Sequence, residues 1–467
     1  AREGGLELNA RDIRLTRGER VTPYVEVSTL AIFDGGSPRA GDVKLRATDS
    51  ITIEGWSVFS NATDGHASGN VEVTAGGTLR VGESTSSQAD IGEISTIAAN
   101  SQRPSTGADN RIGDVTVTAG DIELVGAAEI SSSSFRLEQT VIEELGNTQV
   151  NRQIKPATED FAKSGDVSVT AAESLVINGQ RPGNPGGDGA ANNGVADGST
   201  GIFSQFSGQT KDLPNFIAGA SGPAVGDAGN VTVAVGGTGI LSLLNGGQIS
   251  SSGSRLEGSA GVESEAGKIA VNARLITIDG ASSGIFSESF LANASATRAE
   301  GVTVNGAYRL NLSNGGRISS QSQKQLAGDI RLENFAAGAI VQLDGANVTA
   351  LSGGDGKAGG DIFIQTPETL VLLNSEINAS ASGSGANGGN ISLSSGIFLR
   401  QNSTVDASSR SGVSGSVTGA DLPINLSDVV APVQAVPVGD SPALPAQNAV
   451  FRSGDVTGHT VAGRGRR

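Results

Sequence analysis

The chain has 467 residues, of which 68 are Gly, 3 % are aromatic and 17 % are charged, and its formal net charge is −16. An acidic surface repels phosphate, so these values disfavour nucleic acid and anionic lipid as partners. The lack of Cys excludes disulfides and thiol chemistry. No stretch is apolar enough for a transmembrane helix. The chain contains no Met and begins inside a strand-like pattern, so we expect a processed or partial polypeptide whose signal peptide lies upstream.

A short unit recurs along the chain: a small residue, Gly, often Asp or Asn, and then a strand of alternating apolar and polar residues. In chain order the units are GGLEL (4–8), AGDVKL (40–45), SGNVEVT (68–74), IGDVTVT (112–118), SGDVSVT (164–170), AGNVTVA (228–234), AGKIAV (266–271), EGVTV (300–304), AGDIRL (327–332), GGDIFI (359–364), GGNISL (388–393) and SGSVT (414–418).

Two further strands follow many of these units. Second strands are predicted at 78–81, 121–125, 174–177, 275–278 and 369–373, and third strands at 129–134, 248–253, 317–322, 347–352, 376–382 and 404–409. The last unit glycines, from position 301 onward, are spaced 27, 32, 29 and 26 residues apart. Such short strands bury a core only by stacking on equivalent strands. The fold class predicted is therefore all-β: a right-handed parallel β-helix of about eleven three-strand coils, about 50–60 Å long.

The residues at the start of each unit form a predicted turn ladder. Gly tolerates a positive φ or a close backbone approach, and Asp or Asn can bond to turn amides. The ladder consists of Gly41, Asp42, Gly69, Asn70, Gly113, Asp114, Gly165, Asp166, Gly229, Asn230, Gly328, Asp329, Gly360, Asp361, Gly389 and Asn390. Solvated turn carboxylates are one interpretation. The alternative is an Asp ladder bridged by Ca²⁺.

The predicted β-helix covers residues 1–428, with insertions at about 134–163, 179–200 and 209–227, and a Pro/Gly-rich closing tail covers 429–467. The strongest helix candidate is Leu137–Leu145, inside the first insertion. GIFSQFSG (201–208) is similar to GIFSESF (284–290) and is predicted to be a displaced third strand. The phenylalanines of these segments suit corner packing or, with the insertions, a projecting binding surface. The candidate binding residues are Arg136, Glu143, Glu144, Phe203, Phe206 and Phe286.

The segments that match catalytic sequence motifs lack the structural context that these motifs require. Residues 280–284 match G-x-S-x-G, and residues 354–359 and 383–388 match G-x-G-x-x-G, but each lies between predicted strands rather than before a helix. We therefore interpret them as coil-corner turns. With only His66 and His459 and no Cys, the usual zinc sites are excluded. We expect neither an enzyme, nor a catalytic or metal site, nor a cofactor apart from the Ca²⁺ alternative. A β-helix that degrades polysaccharide through paired carboxylates is the remote alternative.

These repeats resemble the filamentous-haemagglutinin-like exoproteins of two-partner secretion, of the cyanobacterial and other Gram-negative type. The resemblance rests on the A-G-[DN]-[IV]-x-[IV] units, on NGGxISSxS (Asn245–Ser252, Asn314–Ser322), on GIFSQ (201–205) and on the segments 405–419, 422–428 and 456–467. It implies a β-helical rod that passes through an outer-membrane barrel transporter and acts at the bacterial surface or outside the cell. The NPNG-type motif of the family's secretion domain and its C-terminal cysteines are missing from this sequence.

The sequence favours a secreted structural or adhesive protein that forms or decorates surface fibres. The alternative from the binding class is a carbohydrate- or receptor-binding module that uses the insertions. Unpaired strand edges at the ends of a solenoid also predict head-to-tail stacking of copies into filaments. The ligand, and whether the rod is anchored or released, stay open.

Overall fold

The computed structural model describes residues 5–16, 26–31, 40–54, 57–62, 68–82, 96–101, 112–126, 128–135, 140–145, 148–153, 161–179, 200–207, 225–237, 239–254, 263–289, 299–322, 326–419 and 424–425. The chain divides into two units, Ala1–Pro423 and Ile424–Arg467. In the second unit the described residues are the two-residue strand Ile424–Asn425. The described parts of the chain consist of strands and turns without a helix, so they include no helix that could span a membrane.

Each of the twelve predicted units supplies the first strand of a repeat, and each first strand pairs in parallel with the next one. Val43 is opposite Val71, Val71 is opposite Val115, and the same in-phase pairing reaches Val417. The strands of this first stack are Leu6–Ala10, Val43–Ala47, Val71–Ala75, Val231–Val235, Ile269–Asn272, Val302–Asn305, Ile330–Glu333, Ile362–Gln365, Ile391–Ser394 and Val417–Thr418, together with the first halves of Val115–Val125 and Val167–Asn178.

The second strands form a matching parallel stack. It contains Ile13–Thr16, Ile51–Glu54, Thr78–Val81, Ile240–Leu244, Leu275–Asp279, Arg309–Ser313, Ile340–Asp344, Thr369–Leu373 and Ile397–Gln401, with the second halves of the two long strands. A register shift between Ala119 and Asp121 marks the bend at which one of the long strands passes from the first stack to the second.

The third strands form a separate parallel sheet of eleven strands: Glu26–Ala31, Ser57–Ala62, Thr96–Ser101, Glu129–Phe135, Thr200–Ser207, Gly247–Ser254, Gly284–Ser289, Arg317–Ser322, Asn347–Thr349, Glu376–Asn378 and Thr404–Asp406. Thr200–Ser207 pairs with Glu129–Phe135 on one side and Gly247–Ser254 on the other. The assignment of segment 201–208 to a third strand is therefore confirmed. Three parallel stacks fed by successive repeats are consistent with a β-helix or β-solenoid.

Two smaller elements lie mostly in the regions predicted to be insertions, and one strand, Glu263–Glu265, lies outside them. Phe161–Lys163, Val225–Asp227 and Glu263–Glu265 form a short parallel sheet just before three first strands. Thr140–Leu145 and Thr148–Gln153 form an antiparallel hairpin, so the helix predicted at Leu137–Leu145 is wrong. The β-branched pair Val141 and Ile142 favours an extended backbone, and the intervening Gly-Asn sequence is typical of hairpin connections.

Alternation along the strands builds one aliphatic core. Val71, Val73 and Leu79 are at most 1 % exposed, whereas Glu72 between the two valines is partly exposed. Equivalent Val, Ile and Leu side chains of all three stacks belong to the same buried cluster. Each contributes about 1.5–3 kcal/mol through burial. The interior is thus filled by side chains, and chemistry is left to the outer faces and corners.

The Asn-Gly-Gly segments connect the second and third strands. Asn245 and Gly246 have φ values of 51° and 90°, and Asn314 and Gly315 have values of 52° and 87°. Two successive positive φ values define the tight turn for which Asn-Gly is the preferred pair. The motif that carries part of the family resemblance is therefore explained by turn geometry.

The two G-x-G-x-x-G matches also form turns, in agreement with their interpretation from the sequence. They connect third strands to the next first strands in the last coils and stack on each other. Ser384 N donates to Asp355 Oδ1 at 2.7 Å, and Gly356 N donates to Ser384 O at 2.8 Å. No helix N-terminus follows either of them, since first strands begin at Ile362 and Ile391.

Candidate functional surface

The Asp and Asn residues of the turn ladder link one coil to the next. Asn70 N donates to Asp42 Oδ1 at 2.8 Å, and Asp114 N donates to Asn70 Oδ1 at 2.9 Å. The same bond recurs at Asp166, Asn230, Lys268, Asp361, Asn390 and Ser416, at 2.7–3.0 Å. We expected these side chains to bond within their own turns. Stacking instead places each oxygen beside the amide of the equivalent residue in the following coil, so the ladder adds a side-chain bond to the main-chain pairing.

The glycines of this ladder are required by close approach rather than by φ. A Cβ at Gly229 would lie 2.2 Å from Gly165 O, and one at Gly389 would lie 2.1 Å from Gly360 O, and neither glycine has a positive φ. Any side chain here would press on the main chain of the preceding coil. The sequence suggested two reasons for glycine here, a positive φ or a close backbone approach. The structure shows that the second reason applies.

One unit departs from this pattern. Because Val302 is opposite Ile269, the glycine position of that coil is occupied by Glu300. Gly301 occupies the Asp/Asn position instead, with φ at 84°. The use of Gly301 as the unit glycine was therefore wrong by one residue, and the Gly-Asp ladder is interrupted at this coil.

A serine ladder inside the third stack was missed by the sequence analysis. Ser132, Ser204 and Ser251 occupy one inward column and are fully buried. Ser204 Oγ donates to Gly165 O at 2.9 Å and accepts from Gly229 N at 2.8 Å, and Ser251 Oγ bonds to Gly229 O and Gly267 N, both at 2.8 Å. Each hydroxyl therefore joins the glycine corners of two successive coils. The signal in the sequence is the Ser two positions after the inward Ile in ISSSS, IFSQ, ISSS and IFSE.

The serine ladder ends at Ser320, whose buried Oγ has no hydrogen-bond partner. Ser320 is opposite Ser287, in the coil whose glycine position holds Glu300. In later coils Ala350, Ala379 and Ala407 follow the third strand, and their carbonyl oxygens accept directly from Gly360 N, Gly389 N and Gly415 N at 2.8–3.0 Å. Before this coil a serine hydroxyl bridges the glycine corners, and after it a direct main-chain hydrogen bond takes the place of the serine.

The outer side of the third stack carries two of the predicted binding residues. Phe203 and Phe286 lie in one column with Ser250 between them. Each ring folds back over a glycine of its own strand: a Cβ at Gly201 would lie 2.7 Å from Phe203 Cζ, and a Cβ at Gly284 would lie 2.5 Å from Phe286 Cζ. In the G-I-F sequence the glycine therefore leaves space for the aromatic ring two residues later to lie flat on the sheet. Phe203 is 1 % exposed and Phe286 is partly exposed.

Polar side chains surround these rings. Gln248 Nε2 donates to Ser282 O at 3.1 Å, and Arg317 occupies the same column as Gln248 and Gly284. Burial raises the pKa of the Glu288 carboxyl, while nearby Arg317 and a hydrogen bond from Ser319 oppose the shift. We call this surface of Gln248, Phe286, Glu288 and Arg317 the third-strand outer face. It combines one flat aromatic ring with side-chain donors and acceptors.

A second carboxyl lies further along the same sheet. Burial raises the pKa of Glu129, and a hydrogen bond from Ser131 opposes that change. The strand of Glu129 is three pairings away from the strand of Glu288. At about 4.8 Å per pairing, the two strands are about 14 Å apart, which exceeds the separation of about 5–9.5 Å that glycosidase carboxyl pairs need. These two groups therefore cannot act as such a pair.

The remaining predicted binding residues are not brought to this surface by the described geometry. Arg136 lies outside the described residues. Glu143 and Glu144 belong to the hairpin strand Thr140–Leu145, opposite Val150 and Gln149. Phe206 belongs to the third strand Thr200–Ser207, opposite Gly253. A binding surface formed by the insertions therefore stays a prediction, whereas the surface described above is formed by strand faces.

No metal site emerges from the turn ladder within the described ranges. There, no group of three or more His, Cys, Asp or Glu side chains could hold an ion. The Oδ1 atoms of Asp42 and Asp361 accept amide protons of the next coil. Ca²⁺ bridging stays a prediction, and one oxygen of each of these two carboxylates already accepts a hydrogen bond from a main-chain amide.

Comparisons of the chain with family models, with curated proteins and with solved structures found no match.

Proposed function

We propose that this protein is a secreted structural and adhesive β-solenoid of the haemagglutinin-like exoprotein type, acting at the bacterial surface or outside the cell. In this proposal the three stacks close into right-handed coils, and an outer-membrane barrel transporter is the partner during secretion. The observation that carries the proposal is the in-phase parallel pairing of twelve first strands around an interior filled by aliphatic side chains. Such a body supplies length and stiffness, and it leaves recognition to its outer faces.

The physical basis of the stiffness is the number of bonds that join each coil to the next. Besides the main-chain ladders, the corner between Gly229 and Gly267 is held by Ser251, and Lys268 N donates to Asn230 Oδ1. Eleven intervals of about 4.8 Å give a stack about 53 Å long. The proposal includes a non-catalytic role, so incubation with a panel of polysaccharides is expected to release no new reducing ends.

Two measurements test the proposal. Small-angle X-ray scattering of the full chain should give an elongated particle, and beads coated with the chain should be retained on bacterial or host-cell surfaces under flow. A compact scattering profile, or retention no greater than that of beads coated with an unrelated acidic protein, would refute the structural and adhesive role respectively. Sedimentation at increasing concentration checks the predicted head-to-tail assembly.

The secretion route has a separate test. Fused behind a two-partner secretion domain, the chain should reach the medium of Gram-negative cells only when the cognate barrel transporter is produced. Equal secretion without the transporter would contradict the assignment to this secretion type, while the solenoid proposal would stand.

The second candidate is a carbohydrate- or receptor-binding module. The third-strand outer face favours it, because Phe286 presents a ring next to Gln248, Glu288 and Arg317. Flat rings beside hydrogen-bonding groups suit the apolar face and the hydroxyls of a sugar. Glycan-array binding that is lost in Phe286→Ala but kept in Phe398→Leu, a substitution on an inward side chain of the second stack, would support this candidate.

A further inference from the structure

A cationic and aromatic corner lies where the first strands turn into the second strands in two adjacent coils. Arg274 separates Ile269–Asn272 from Leu275–Asp279, and Tyr308 occupies the equivalent place one coil later, followed by Arg309. Tyr308 N donates to Arg274 O at 2.7 Å, and Arg309 N donates to the same oxygen at 3.2 Å. We call these three residues the Arg–Tyr corner. The main chain therefore fixes their relative positions.

The aromatic ring of this corner is accessible. Tyr308 is 40 % exposed, and the guanidinium carbon of Arg274 lies 5.3 Å from the centroid of its ring. In the following coil the neighbour of the ring is Gly338, where an added Cβ would lie 3.6 Å from Tyr308 Cε2. Because Gly338 has no side chain, no side chain from that position covers the ring. A ligand can therefore approach a tyrosine whose other neighbour is a cation.

Among the residues that the structure describes, the two guanidinium groups lack acidic partners. Arg46, Arg80 and Arg331 pair with carboxylates at 2.7–3.4 Å. Within the described ranges, neither Arg274 nor Arg309 has a carboxylate within 4.0 Å. Arg309 has no carboxylate beside it in its own column, because its register partners in the coils before and after are the apolar residues Leu275 and Ile340.

In a chain of net charge −16, two neighbouring arginines without a carboxylate partner among the described residues are a local departure from its overall acidity. We propose that the Arg–Tyr corner binds the uronate carboxylates of an acidic polysaccharide. The planar guanidinium fork matches a carboxylate through two parallel hydrogen bonds. Tyr308, Leu275 and Ile340 supply the apolar surface against which the C–H face of a sugar ring packs.

The distribution of charge favours this ligand over a nucleic acid. A polyphosphate carries a charge at every nucleotide, so beyond the two arginines it would meet the acidic surface of the solenoid. A polysaccharide in which neutral sugars alternate with uronates carries only one carboxylate for every two sugars, and the hydroxyls of its neutral sugars are tolerated next to acidic groups. The inference goes beyond the proposed scaffold role, because that role requires no unpaired arginine at this corner.

Affinity electrophoresis of the full chain in gels containing hyaluronate, in which a uronate alternates with a neutral amino sugar, tests the proposal. Neutral dextran, dextran sulfate and single-stranded DNA are the other matrices. We expect retardation by hyaluronate that weakens as salt is added. The double variant Arg274→Gln/Arg309→Gln should bind about tenfold more weakly or worse, a loss equivalent to about 1.4 kcal/mol. Tyr308→Ala should also weaken binding, whereas Tyr308→Phe, which keeps the ring, should bind like the parent.

The matched control is Arg46→Gln/Arg80→Gln, which removes the same charge from arginines that are already paired, and it should leave retardation unchanged. Thermal melting shows that each variant is folded. Equal losses of retardation in both double variants would show that net charge alone causes the binding, and would overturn the proposed site. Absence of binding to hyaluronate, or stronger retardation by dextran sulfate or DNA, would overturn the assignment to uronates. Since the scattering profile of the rod is measured separately, each of these failures is distinguishable from failure of the scaffold role.

Discussion

Replacing Ser251 by Ala should destabilise the solenoid far more than the loss of a single hydroxyl group suggests. Ser251 Oγ is fully buried, donates to Gly229 O and accepts from Gly267 N, both at 2.8 Å. Ala leaves this buried N–H and this buried C=O without the bonds that Ser251 provides. Each unsatisfied group costs about 1–3 kcal/mol, so for the two groups together we expect a loss of roughly 2–6 kcal/mol.

The control variant is Ser320→Ala, the same substitution in the same inward column. Ser320 Oγ is buried without a partner. Removing a buried hydroxyl that forms no bond should therefore change stability by about zero, or raise it by up to about 1 kcal/mol. The two variants separate the value of the hydrogen bonds from the effect of losing an oxygen atom in the core.

Urea denaturation followed by far-UV circular dichroism measures the two free energies of unfolding. Amide hydrogen exchange at Gly267 adds a local measurement, and protection there should fall in Ser251→Ala but not in Ser320→Ala. Equal losses of stability in the two variants, or unchanged exchange at Gly267, would refute the claim that the serine ladder joins the corners of successive coils.

Three further tests by substitution concern other parts of the fold. Gly389→Ala should prevent stable folding, because its Cβ would lie 2.1 Å from a carbonyl oxygen of the preceding coil, whereas Gly237→Ala, with no atom within 4 Å of an added Cβ, should melt like the parent. Asn314→Ala should cost about 1 kcal/mol because its φ is 52°, and Asn314→Gly should cost less; calorimetry of both checks the turn. Burial raises the pKa of Glu288, so the stability linked to its protonation is complete below the ordinary carboxyl pKa and is lost as pH rises through the folded-state pKa. Glu288→Gln should therefore raise the melting temperature at pH 7 and not at pH 3.5, and an equal gain at both pH values would contradict this.

Much of the fold could be read from the sequence because strand alternation has a period of two and the repeat unit is short. The predicted first strand after Asp42 and the predicted third strand at 201–208 both lie where the pattern placed them. The prediction from sequence was wrong where a local pattern is compatible with two different structures. Residues 140–145 contain apolar and acidic residues in an order compatible with either helix or strand, and pairing with 148–153 made them a strand. The unit glycine at 301 was misplaced because only the register with Ile269 shows which residue occupies the corner.

The candidate surfaces were harder to predict, since they join residues of different repeats. The sequence indicated Phe203 and Phe286, yet only stacking places them in one column with Ser250 between them. Nothing in the sequence links Arg274 to Tyr308, which are 34 positions apart. One coil of the solenoid separates them, and therefore the main chain brings the cation over the ring.

By itself, the sequence determined the strand periodicity, the repeat, the parallel stacking and the inward aliphatic core, because each follows from local alternation and turn chemistry. Tertiary structure alone decided the register of the coils. That register converts Asp42 and Asn70 from turn residues into links between coils, gives the buried serines their glycine partners and leaves Arg309 between two apolar neighbours. The physical reason is that a one-residue difference in spacing changes every contact between coils while leaving the pattern within each strand the same.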